Sequence, residues 1–189
     1  LVALAEQAKK ALTSTPTYQM RDQSTLTDQD GQRVIIDIPV EREVFESLIR
    51  SHIERTIPLC WEALAKAHQK AGISLQDIDH VCLVGGSTYV PLVQDMVAAH
   101  LCSGNSSGKV EILSSDQILN QVAESQRETA RGLLERGEKA KCAQPAFDEP
   151  DTCVALGAAI RAASAGLMVY DADRRVRVHF QGQGGTARQ

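Results

Sequence analysis

Three sets of residues in this chain are of types that do chemistry. The first lies in Val81-Cys82-Leu83-Val84-Gly85-Gly86-Ser87-Thr88-Tyr89-Val90. Glycines placed after a buried strand and before a helix let main-chain atoms come close to a phosphate under the positive pole of the helix. A paired glycine alone also fits a plain strand-to-helix turn. The second set is Glu6, Lys9, Lys10 and Thr13, spaced three or four apart so that they can share one helix face. A solvated charged face is its bland alternative. The third set offers little. Cys60, Cys82, Cys102, Cys142 and Cys153 nowhere form Cys-x-x-Cys, so neither a zinc cage nor a disulfide framework is indicated. Each is expected as a small buried or incidental residue, and reduced cytoplasmic thiols fit best. His52, His68, His80, His100 and His179 have no metal-ligand spacing and form no nucleophile-and-base set, and each is expected at the surface.

The elements that must position these residues follow from periodicity. Leu1, Leu4, Ala5, Ala8, Ala11 and Leu12 repeat at helical spacing until Thr13-Ser14-Thr15-Pro16. The run opens with neither methionine nor an N-cap residue, and the expectation is a chain that starts inside a larger protein. Two extended runs, about 17–25 and 33–38, join through Asp30-Gly31 as a hairpin. A stripe of Phe45, Ile49, Ile53, Ile57, Cys60, Leu64 and Ala67 predicts one long helix that Pro58 kinks or splits. Ser74 to Asp77 reads as a capped acidic turn, Val81 to Val84 as a central strand, and 90–101 as a helix with Pro91 in its first turn. A strand at 110–113, a charged helix from Asp116 to Lys141 and an alanine-rich helix within 151–165 follow. The end suggests a hairpin of 167–170 with 176–180 and a mobile tail from Gln181.

Composition narrows the class. The 189 residues are 43% hydrophobic and 23% charged, ordinary for a globular chain. A formal charge of -4 without a basic run gives no support for nucleic-acid binding. No apolar stretch approaches the roughly 20 residues needed to cross a bilayer, so a soluble protein without membrane contact is expected.

Four segments in order carry a resemblance. Asp77 to Thr88 is very similar to the adenosine-binding segment of the seventy-kilodalton heat-shock (DnaK-type) chaperones. Ala5 to Thr13 resembles that family's nucleoside-facing helix, Phe45 to Gly72 the helix leading to the glycine turn, and Pro150 to Ala159 its closing motif. The resemblance implies an α/β fold, lobe II of an actin-like (ribonuclease H-like) ATPase domain, with a smaller α+β subdomain. It divides the chain into a helix at 1–16, a smaller mixed subdomain with its long connecting helix at 17–72, a lobe core at 73–180 with a helical insertion at about 103–147, and a tail at 181–189.

Carried over position by position, the resemblance makes Glu6 a ribose partner and brings Lys9, Lys10 and Thr13 to the nucleoside. Gly85 and Gly86 pass the sugar and phosphate, Ser87 and Tyr89 meet the base, and Asp151 fixes the pocket floor or caps its own helix. ATP or ADP is the implied ligand, with Mg2+ held mainly by the first lobe. The implied partners are that first lobe, a nucleotide-exchange factor and a J-domain cochaperone.

The chain also departs from the family. Tyr89 stands where an arginine is usual, Glu149 replaces an asparagine, and the 102–147 stretch is much longer than the family link. Ile118, Leu119, Val122, Leu133 and Leu134 form a broken apolar stripe within it, the one support for a partner-binding device, with a solvated charged helix as the bland alternative. The superfamily's catalytic acids and phosphate lysine lie mostly in the first lobe, and no Walker motif is present. The fragment alone is therefore expected not to hydrolyse ATP. A non-catalytic, chaperone-derived scaffold that has lost the nucleotide is the alternative.

Overall fold

In the computed structural model, residues 2–23, 26–104, 110–146 and 152–164 are described. The chain forms two compact units, one of Leu1–Cys82 with Ser87–Ala146 and one of Leu83–Gly86 with Phe147–Gln189.

The first unit opens with α1, Val2–Ala11, as its periodicity predicts. Ala8 and Leu12 are its buried anchors. Past its end, the Arg42 side chain donates to the Leu12 carbonyl at 2.6 Å, and the hydroxyls of Ser14 and Thr15 donate to that of Ala11. These bonds meet carbonyls that a helix terminus leaves unpaired. Strands β1, Thr17–Asp22, and β2, Ile36–Glu41, pair antiparallel, Thr17 opposite Glu41 and Asp22 opposite Ile36. In the connection, Asp28 accepts the amides of Asp30 and Gln32, and Gly31 takes a φ of 76°, the left-handed conformation a glycine supplies without strain.

The expected long helix is two: α2, Arg42–Glu54, and α3, Thr56–Ala71. The break falls at Arg55 rather than at Pro58. A proline ring clashes with the carbonyl four residues earlier, here Glu54, the last residue of α2. Pro58 itself lies in the first turn of α3, where a missing amide leaves no bond unmade. Gly72, at a φ of 70°, ends α3. Ser74 and Asp77 then bond to each other across a short turn, the Asp77 carboxylate accepting the Ser74 amide at 2.8 Å.

Two expected strands do not form. Val81 to Val84 makes a single parallel bridge, Cys82 to Ala146, and both Cys82 and Val84 are exposed. A central strand needs ladders on both edges, and among the described residues this run meets only that one bridge. Residues 110–113 also form no strand, although Val110 is buried. Helix α4, Pro91–Leu101, begins with proline at its first position, as expected.

The inserted stretch folds as α5, Ser115–Leu119, and α6, Glu124–Glu135, shorter than the expected 116–141 helix. Gly132 stays helical, and Gly137, at a φ of 62°, follows the end of α6. Both helices pack on α3. Ile57, Trp61, Leu64 and Ala65 of α3 are buried together with Ile118, Leu119, Val122, Ala130 and Leu133. Polar contacts fix the register: Gln69 donates to Thr129 at 2.9 Å, and Glu62 accepts the Ala123 amide at 3.2 Å. The apolar stripe thus serves the unit's own core.

Arg131 meets Glu128 at 3.2 Å, but Arg127 donates to the carbonyls of Leu119 and Val122. Lys139 lies beyond α6 and donates to Ala99 and His100 carbonyls. In the second unit, α7, Cys153–Ser164, is the expected alanine-rich helix. The expected hairpin at 167–180 and the tail lie outside the described residues.

Candidate nucleotide half-site

The candidate residues fall into two local groups. On α1, at about 100° of turn per residue, Glu6, Lys9 and Lys10 span an arc of about 100° away from the buried Ala8, and Thr13 follows in the turn after Ala11. Glu6 joins the set by accepting from Lys9 at 3.3 Å and lying 3.9 Å from Lys10. These pairs are solvent-exposed and individually weak. The Thr13 hydroxyl donates to the Lys10 carbonyl at 2.7 Å, which spends its proton and leaves its oxygen as an acceptor. Lys9 and Lys10 occupy the last turn of α1, where the helix dipole favours cations.

The second group is the turn. Gly85 adopts a φ of 96°, a backbone conformation that favours glycine, and among the described residues no atom lies within 4 Å of where its Cβ would be. Gly86–Tyr89 forms one tight helical turn containing Ser87. The Thr88 carbonyl accepts from the Gln94 side chain at 3.0 Å, and Ser87 accepts the Val90 amide at 3.3 Å. Asp151 lies outside the described residues.

The sequence-based picture of a phosphate under the next helix's N-terminus needs correction. Helix α4 starts only at Pro91, and the Leu92 amide donates to the Glu46 carboxylate at 3.2 Å. A carboxylate already serves that positive pole.

Other polar residues have roles that spacing did not disclose. His100 is buried, against the expectation of a surface position. Its Nδ1 lies 2.8 Å from the Met96 carbonyl, and its Nε2 accepts the Leu113 amide at 3.0 Å. Only the neutral ring protonated on Nδ1 satisfies both. Burial is the chief cause that holds its pKa below the ordinary histidine value, and the nearby Lys139 charge acts in the same direction. The C-terminal carbonyls of α4 are all met: Ala98 by the Cys102 amide, Ala99 and His100 by Lys139, and Leu101 by the Ala140 amide. A helical i−4 pattern would have marked His100, but nothing local marks Lys139 as a cap. A cleft of about 750 Å³ lined by Thr17, Arg42, Glu46, Arg50 and Asp95, among others, includes none of the nine candidates. Among the described residues no cluster of three or more His, Cys, Asp or Glu could hold a metal, and no helix is long and apolar enough to cross a membrane.

The Hsp70 protein family matches over residues 1–111, a stretch that includes both α1 and the glycine turn. The chain is 38% identical to a mitochondrial heat shock 70 kDa protein of Solanum tuberosum over 104 residues, 55% of this chain and 14% of that protein. It is 36% identical to the mitochondrial heat shock 70 kDa protein of Pisum sativum over 104 residues, 55% of this chain and 15% of that protein. The chain therefore spans only about one seventh of the length of these relatives. The helix-and-strand fold and the matched region place it in one class, and the chain belongs to the Hsp70 family. The α5 and α6 helices and Asp151 lie beyond the matched region.

Proposed function

We propose that this chain is the second lobe of the actin-like nucleotide-binding domain of an Hsp70-type chaperone and supplies the adenosine side of its ATP/ADP site. The observation that carries this reading is the polar arc of Glu6, Lys9 and Lys10 on a buried-backed helix, with Thr13 in the turn after it, in a chain of the Hsp70 family. A carboxylate beside ammonium groups is a donor-acceptor set for ribose hydroxyls and phosphate oxygens. Glycine at 85 and 86 puts no side chain between a ligand and the backbone of the turn, and Ser87 and Tyr89 supply a hydroxyl and an aromatic ring for the base. Asp151 completes the proposed set.

Bound ATP supplies the phosphoanhydride, and the first lobe supplies the Mg2+ ligands and catalytic acids. The role of this chain is to hold and orient the nucleoside, and alone it does not hydrolyse ATP. Closure of the first lobe over the nucleotide, action of a J-domain cochaperone and opening by a nucleotide-exchange factor belong to the whole protein. The cytoplasmic assignment rests on the cysteine pattern, whereas the names of the two relatives describe mitochondrial proteins.

The scaffold alternative is favoured by one feature, tyrosine in place of a cation at position 89. The experiment is an ADP titration by calorimetry of the whole protein and of its Gly86→Val variant. Saturable binding that the variant weakens at least tenfold supports the half-site. Equal binding by both forms refutes the glycine turn's role, and no binding by the whole protein selects the scaffold.

A further inference from the structure

The five cysteines show no motif in sequence, yet the fold brings two of them into contact. Cys102 follows the last residue of α4 and is 2% exposed, while Cys142 lies beyond α6 and is half-buried. Their Sγ atoms are 3.7 Å apart, with both thiols free. The backbones around them are locked in register. Cys102 bridges Ala140 in parallel, the Ser103 amide donates to the Cys142 carbonyl at 3.0 Å, and the Gly104 amide donates to the Ala143 carbonyl at 3.0 Å. A Cβ at Gly104 would lie 2.2 Å from the Ala143 oxygen, so glycine permits this close approach.

We infer that Cys102 and Cys142 form a modification site, a dithiol that a low-molecular-weight disulfide of the glutathione class oxidises to an intramolecular bond clasping the inserted segment to the end of α4. Bond formation needs the sulfurs to close from van der Waals contact to about 2.05 Å. Rotation of the less buried Cys142 side chain supplies that movement without disturbing the paired backbones. The site does not depend on nucleotide binding.

The chemistry is two exchanges in sequence. The Cys142 thiolate attacks one sulfur of the small disulfide RSSR; the RS–SR bond breaks, a mixed disulfide forms on Cys142, and RS− leaves to take up a proton. The Cys102 thiolate then attacks the Cys142 sulfur, the mixed bond breaks, and the second RS− leaves and is protonated. Two protein thiols are oxidised and one RSSR is reduced to two RSH, with the two protein protons ending on the released thiols. Burial, followed by the neighbouring Cys142, pushes the Cys102 thiol up to about 12, so the second exchange, in which Cys102 attacks, is the slow one. Cys60, whose thiol is also pushed up by burial, serves as the internal control.

The test treats the folded, reduced chain with oxidised glutathione, alkylates what remains and maps the peptides. Trypsin leaves Cys82 with Cys102 in 71–109 and Cys142 with Cys153 in 142–161, so further cuts by chymotrypsin, after Tyr89 and Phe147, are needed. The expected product joins the peptides of Cys102 and Cys142, carries no bound glutathione, and leaves Cys60 alkylated. Closing this loop raises the Tm of the oxidised chain on the order of 10 °C, and the Cys142→Ser variant shows no oxidant-dependent shift. A persistent glutathione adduct on Cys142, a bond between any other pair, or no oxidation of either thiol would overturn the proposal. So would a Tm that oxidation leaves unchanged in a chain whose Cys102–Cys142 peptide is found.

Discussion

His100 makes the stability of this chain depend on pH in a way that the structure fixes in sign. In the folded state the ring accepts the Leu113 amide and meets the Met96 carbonyl, so a second proton would set an N–H against an N–H. Burial and Lys139 depress the folded pKa, opposed in smaller part by the Met96 hydrogen bond and by Glu54. The unfolded ring titrates near 6.5. As pH falls through that value, the unfolded chain takes up a proton that the folded chain refuses, and stability declines by up to ~1.4 kcal/mol per pH unit. From pH 7 to pH 5 the ceiling is about 2 kcal/mol, and solvent reaching the ring edge brings the expected loss to about 1 kcal/mol. The perturbation is His100→Leu, which removes the titrating group and leaves the Leu113 amide unpaired, at a cost of about 1–3 kcal/mol at pH 7. The assay is urea unfolding of both proteins at pH 5, 6, 7 and 8. Wild type should lose about 1 kcal/mol more than the variant between pH 7 and 5. Equal losses in the two proteins would refute the buried, neutral histidine.

Further predictions concern the core and the turn. Leu133→Ala on α6 empties a site that is 2% exposed and should cost about 2–5 kcal/mol in a single unfolding transition. A loss under about 0.5 kcal/mol would show that α6 is no part of the core. Gly85→Ala forces a side chain into a φ of 96° and should lower stability by about 1–2 kcal/mol in the same assay, although among the described residues no atom crowds the site. An unchanged midpoint would contradict the turn's geometry.

The pattern of what sequence disclosed follows from the range of the forces involved. Local chemistry was readable: the α1 face from its period, the Ser74–Asp77 turn from a capping pair, and the start of α4 from Pro91. Pro58 announced a break correctly but placed it three residues late, because its ring acts on the carbonyl four residues behind it. Val81 to Val84 has the composition of a central strand, but strand formation depends on neighbours rather than on the run itself. Contacts between residues far apart in sequence left no local mark. Lys139 capping α4, the α6 face closing on α3, and Cys142 beside Cys102 are each set by the path of the inserted segment, which no spacing rule describes. Within the candidate site, the α1 arc was legible, whereas the carboxylate of Glu46 on the α4 N-terminus was not.

The central claim is that the nucleoside meets this chain at α1 and the glycine turn. Photolabelling the whole protein with an ADP analogue carrying an azide on the adenine, followed by peptide mapping, tests it directly. The account predicts label within residues 6–13 or 85–89, with Tyr89 favoured, and its suppression by excess unmodified ADP. Suppressible label confined to other segments of this chain, such as the cleft around Arg42 and Asp95, would contradict it.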